Sequence, residues 1–114
     1  VHELSIMSGI FSTCFEEAEK AHAKLITRIS VCIGERAGIE VDALKFSFEA
    51  LSKDTIAECA VFDIEHVPCR GQCNHCHYSF DVGEYLFLQC ERCGSDAKLI
   101  SGQELHVASI EIEA

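Results

Sequence analysis

The sequence predicts an α+β fold in which two helices cover one face of a small sheet, with a zinc-ribbon-like module inserted into it. Three observations carry that expectation. Apolar residues recur with three-and-four spacing in two stretches, they alternate in others, and the block from Cys69 to about Gly102 interrupts both patterns with two Cys-x-x-Cys pairs. The expected organisation is one domain made of residues 1–68 and 103–114, and a zinc-binding domain at 69–102. Pro68, the one proline of the chain, marks the entry to the inserted block.

From Leu4 to Ala21 the apolar positions are Leu4, Met7, Phe11, Cys14, Ala18 and Ala21, one face of a helix, while Glu16, Glu17, Glu19 and Lys20 fall mostly on the other side. That face is expected to be core. Thr27 to Ile33 alternates, with Ile29, Val31 and Ile33 on one side and Arg28, Ser30 and Cys32 on the other, and Gly34 ends the strand. After the break at Gly38, Val41, Leu44, Phe48 and Leu51 repeat with helical period. Ala60, Phe62 and Ile64 alternate as a second strand. Near the end, Leu105 and Val107 share one phase and Ile110 and Ile112 the other, so a strand there needs a bulge or twist near Ser109.

With 114 residues, 48% hydrophobic and 25% charged, the chain can bury one main core and does not read as disordered. No apolar run approaches the roughly 20 residues of a membrane span, and the start lacks the pattern of a signal peptide, so the expectation is a cytoplasmic protein. A formal charge of −10 argues against a nucleic-acid partner, which needs clustered Lys and Arg, and suits a metal cation or a basic protein. The same charge is also what an ordinary soluble surface carries. Eight cysteines without a secretory start favour reduced thiols and metal over a disulfide framework.

Cys73-Asn-His-Cys76 and Cys90-Glu-Arg-Cys93 are separated by thirteen residues, close to the spacing of tetrahedral four-thiolate zinc sites. Tyr78 to Phe80 and Glu84 to Gln89 are expected to form a hairpin around Asp81-Val82-Gly83 that brings the two pairs together, and Gly94 can supply the positive backbone angle such a turn uses. Four thiolates close the coordination shell, which makes the ion structural and leaves no position for catalysis. A rubredoxin-like iron site and a redox dithiol pair use the same residues and stay open. His75 and His77 are alternative imidazole ligands or plain surface residues, and Cys69 is a fifth thiol open to redox chemistry or ligand exchange. Cys14, Cys32 and Cys59 are expected to be small core hydrophobes.

At the start, Val1-His2-Glu3 places an α-amine, the His2 amide nitrogen and the His2 imidazole where they can chelate one metal through adjacent rings. Nickel(II) favours such a nitrogen-rich, near-planar set, and Glu3 can add charge or an outer hydrogen bond. A surface histidine is the other reading of His2.

The VHELSI start, the stretch ISVCIGERAGIEVDALKFSFEAL and the doubled Cys-x-x-Cys together resemble the HypA/HybF hydrogenase nickel-incorporation family over nearly the whole chain. The resemblance implies a two-lobed α+β nickel metallochaperone, not an enzyme. It would carry nickel on His2 and the chain-start backbone at Val1, with Glu3 beside it, and zinc on Cys73, Cys76, Cys90 and Cys93. Its partners would be a HypB-type GTPase and the [NiFe]-hydrogenase large subunit, with a urease accessory protein as a further candidate, and neither nucleic acid nor membrane. Val1 departs from the methionine usual in the family. A literally read start codon, a substitution or a preceding methionine each give a different terminal amine, and the last makes His2 the third residue. Two other classes compete: a zinc-ribbon module that binds protein or nucleic acid without nickel, and an electron-transfer iron site, which colour would reveal.

Overall fold

The computed structural model describes residues 3–82 and 88–114. The chain divides into two compact units, one of residues 1–32, 38–65 and 106–114, the other of residues 33–37 and 66–105.

In the first unit, helix α1 runs Glu3–Lys20 and buries Met7, Ile10, Phe11, Cys14 and Ala18. The predicted face is therefore the core face, turned slightly so that Ile10 joins it. Leu4, more than half exposed, drops out, and Ala21 lies beyond the helix end. The helix stops in a Schellman arrangement: the Ala23 amide donates to the Ala18 carbonyl at 2.9 Å and the His22 amide to Glu19 at 3.0 Å. His22 takes the left-handed angle, φ 55°, that this motif requires and that glycine usually supplies. Helix α2, Val41–Ser52, buries Leu44, Ser47, Phe48 and Ser52. The buried Ser47 hydroxyl is satisfied by the Ala43 carbonyl at 2.9 Å.

Strand β1, Leu25–Gly34, is flanked by β2, Val61–Val67, and by β6, Leu105–Glu113, in the order β2-β1-β6. Ile29, Val31 and Ile33 are buried as the alternation requires, and the strand starts two residues earlier than expected, at a point where Ile26 is also buried. Rings tie the helices to the sheet: Phe11 stacks on Phe48 at 5.4 Å, and Phe48 on Phe62 at 4.8 Å. On the opposite side of β1, Arg28 pairs with Asp63 of β2 and, at 2.6 Å, with Glu111 of β6, one cation serving both flanking strands. In β6 the half-buried positions are Val107 and Ile110, three residues apart, which is the change of phase read from the sequence.

Cys14 is a core hydrophobe as expected, but Cys32 is only half-buried, with its sulfur 3.2 Å from the Glu65 carboxylate, and Cys59 is exposed. Burial pushes the Cys14 thiol up to about 11. Because the folded state holds this proton above the pH at which the unfolded chain loses it, stability is fully present below about pH 9 and falls as pH rises toward about 11. The loss attributable to Cys14 is about 2–3 kcal/mol at most, and Cys14→Ala should flatten that part of a stability-against-pH profile measured in urea.

In the second unit, β3 (Arg70–Cys73), β4 (Ser79–Asp81) and β5 (Ala97–Ser101) form an antiparallel sheet in the order β4-β3-β5. Ser79–Asp81 pairs with Arg70–Gln72, and Gln89 meets Asp96 in an isolated bridge. Glu84 to Phe87, the other half of the expected hairpin, lie outside the described residues, as does Gly83.

Candidate metal centre

The β3–β5 ladder brings the two Cys-x-x-Cys turns together. Cys73 ends β3 and pairs with Ala97 at the start of β5; just beyond, Asn74 N–H donates to Asp96 and Ala97 N–H to Leu88. The first turn thus leaves β3 beside the point where the second turn enters β5. Each turn closes on itself: His77 N–H donates to Cys73 O at 3.2 Å, with His77 at φ 62°, and Gly94 N–H to Cys90 O at 3.0 Å, with Gly94 at the expected positive angle, φ 74°.

The Sγ atoms of Cys73, Cys76, Cys90 and Cys93 all lie within 4.8 Å of one another. Cys73 to Cys93 is 3.5 Å, Cys76 to Cys90 3.6 Å and Cys76 to Cys93 3.9 Å. A tetrahedral site with metal–sulfur bonds near 2.3 Å has sulfur–sulfur edges of about 3.8 Å. The donor set therefore fits one tetrahedral thiolate ion. The first cysteine of each turn is buried and the second exposed. Amide hydrogen bonds converge on the buried sulfurs: Cys73 Sγ accepts from the His75 and Cys76 amides, both at 3.3 Å, and Cys90 Sγ from Arg92 at 3.4 Å. Donation from the Cys76 and His75 amides outweighs burial and holds the Cys73 thiol below its ordinary range. Hydrogen bonds from the Ser95 side chain and then its backbone lower Cys93 to about 6. Both shifts favour the thiolate, the form that binds metal. At Cys76 the Tyr78 backbone hydrogen bond, which lowers the thiol, is outweighed by burial and the neighbouring Cys73, Cys90 and Cys93 thiols, which push it up to about 11.

Cys69 is not part of this cluster. It is buried against Phe80 and Val82, its amide donates to Glu35 Oε2 at 2.9 Å and its carbonyl accepts from Val82 at 3.1 Å, so it is a core residue of the second unit and not an exchangeable ligand. His75 and His77 are exposed, and among the described residues only the four cysteines form a metal-binding group. Sequence reasoning missed Glu35, whose carboxylate fixes the backbone of Cys69, and the pair Tyr78 and Arg92; a charged residue inside a Cys-x-x-Cys turn was the available signal for the latter.

Val1 and His2 lie outside the described residues. Glu3 is the first residue of α1, half-buried, and its Oε2 accepts the Glu40 N–H at 3.2 Å at the start of α2, where Glu40 makes no side-chain cap of its own.

The profile of the family described as "Hydrogenase/urease nickel incorporation, metallochaperone, hypA" matches residues 1–112. A hydrogenase maturation factor HypA from Dehalococcoides mccartyi is 40% identical over 114 residues, 99% of this chain and 95% of the relative. One from Caldanaerobacter subterraneus subsp. tengcongensis is 37% identical over 99% of this chain and 100% of its own. The solution structure of the Ni metallochaperone HypA from Helicobacter pylori superposes with a TM-score of 0.72 at 28% identity, covering 100% of this chain and 99% of that one. A second HypA solution structure gives 0.76 at 28% identity over 97% and 95%. With the profile spanning almost all of its length and these relatives matching end to end, the chain belongs to the HypA family of hydrogenase and urease nickel-incorporation metallochaperones.

Proposed function

We propose that this protein is a nickel metallochaperone that takes up Ni(II) at its N-terminus and delivers it during maturation of [NiFe]-hydrogenase, with urease as a further client. The match of residues 1–112 to a nickel-incorporation family carries this reading. Nickel is cargo: the His2 imidazole and the backbone nitrogens of Val1 and His2 supply the donors, and Glu3 stands beside them. The nickel-binding domain on this reading is 1–68 with 103–114, and the zinc-binding domain is 69–102. Zinc is structural on Cys73, Cys76, Cys90 and Cys93, because four protein thiolates leave the ion no open position and their spacing suits its tetrahedral shell. The protein acts by transfer, not catalysis, in the cytoplasm, with a HypB-type GTPase and the hydrogenase large subunit as partners. Among the described residues no helix is long and apolar enough to cross a membrane.

Titration calorimetry with Ni(II) tests this on the wild type, His2→Ala and a form extended at its N-terminus. Loss of a direct ligand should exceed the roughly 10–100-fold that outer-shell changes cost in metal affinity. The extended form should weaken binding as well, since residues added ahead of the site change the nitrogen donors beside His2. Thermal stability should hardly change, because chain ends contribute little to folding. Equal nickel binding by all three would place the site elsewhere.

A further inference from the structure

The four ligands sit on two turns that are far apart in sequence, and besides the sulfurs themselves a cation–ring contact spans them. Arg92, inside the second turn, places its guanidinium carbon 4.5 Å above the centroid of the Tyr78 ring, just after the first. Each partner is bonded through its backbone to the buried cysteine of its own turn: Cys73 N–H donates to Tyr78 O at 2.9 Å, and Arg92 N–H to Cys90 Sγ at 3.4 Å. Tyr78 is itself anchored, packing against the cluster of Cys69, Phe80 and Val82, with its ring stacked 6.2 Å from that of Phe80.

We propose that Arg92 and Tyr78 form a clasp that holds the two cysteine turns at metal-binding distance, making them a positioning pair for the zinc ion. The inference rests on the zinc reading above. A chelator removes a four-thiolate ion by opening one turn while the other still holds it, and a contact joining the turns resists that step. Arginine suits the role, since its planar cation stacks on a ring face and keeps its charge at any working pH. Four thiolates around a divalent ion also carry a net charge of about −2, which a neighbouring cation offsets.

The test uses zinc-loaded full-length protein and follows zinc transfer to a chromophoric chelator for the wild type, R92Q, R92K, Y78L, Y78F and the R92Q/Y78L double variant. R92Q and Y78L should each speed release roughly two- to fivefold, the size of an exposed cation–ring contact. The double variant should be no faster than the faster single one, Y78F should restore slow release, and R92K should fall between. A readout independent of metal accompanies it: the Arg92 side-chain proton resonances should show an upfield ring-current displacement that Y78L abolishes and Y78F keeps. Release unchanged in R92Q and Y78L, additive effects in the double variant, or no displacement of the Arg92 resonances would overturn the clasp while zinc stays bound. A wild-type protein that binds no zinc overturns the zinc reading and the positioning role together, so the two failures are distinguishable.

Discussion

Alanine at Cys73 or at Cys90 is expected to lower bound zinc from about one ion per chain to near zero and to unfold the second unit. Among the described residues its strands span four, three and five residues, and its buried apolar cluster is Cys69, Phe80 and Val82, with Tyr78, Leu88, Ala97 and Leu99 partly buried against it. Strands that short lie at the lower end of the usual range and bury little apolar surface. On the zinc reading, metal binding adds to this core, as structural zinc contributes on the order of 10–16 kcal/mol in isolated zinc-finger peptides. The first unit has its own core on the Met7, Phe11, Ile29, Val31, Leu44 and Phe48 side chains and should keep its helices. Metal analysis, far-UV circular dichroism and amide NMR of both variants check this. Retained zinc, or loss of the helix signal, would contradict it.

Gly102→Ala should destabilise the same unit by more than about 4 kcal/mol, a large loss that here comes from overpacking and strain at a special backbone angle. Gly102 has φ 112°, an angle that side-chain-bearing residues rarely adopt. A Cβ there would lie 2.4 Å from Cys69 Sγ and 2.9 Å from Cys69 Cα, and on its other side a Cβ on Gly34 would lie 2.1 Å from the Gly102 carbonyl carbon. These segments are bonded as well as packed: Arg36 N–H donates to Gly102 O at 2.6 Å, Gly34 N–H to Glu104 O at 2.7 Å, and Glu35 N–H to Val67 O at 2.8 Å. Removing the sulfur with Cys69→Ala should rescue only part of the loss, because the contact with Cys69 Cα and the strained angle remain. Urea unfolding followed by amide signals of the second unit reads the effect; a loss under about 1 kcal/mol would show that the backbone yields freely here.

Long periodic elements were legible in the sequence. Helices α1 and α2 and strand β1 each bury a stripe long enough to set its own period, and the four cysteines announced themselves by spacing alone. Strands β3 and β5 were not legible. Arg70-Gly-Gln-Cys73 buries a glycine and a cysteine and exposes no apolar alternation, so pairing in the unit, not residue type, makes it a strand. Ser79–Asp81 pairs back on Arg70–Gln72, seven to eleven residues earlier, a partner that residue type alone does not indicate. Cys69 looked like a spare ligand because it lies near the others in sequence; only its burial under Gly102, which depends on contacts from distant segments, shows that it is core. Cys59 looked like core by residue type and is exposed, since a single small residue carries no period to place it.

Native mass spectrometry of the protein with its own N-terminus, titrated with nickel, tests the central claim most directly because it counts both ions on one molecule. The wild type should appear with one zinc before titration and with one zinc and one nickel after it, while His2→Ala should keep the zinc and take up no specific nickel. Nickel replacing zinc in the wild type, or one nickel still bound to His2→Ala, would contradict an N-terminal cargo site beside a closed four-cysteine centre.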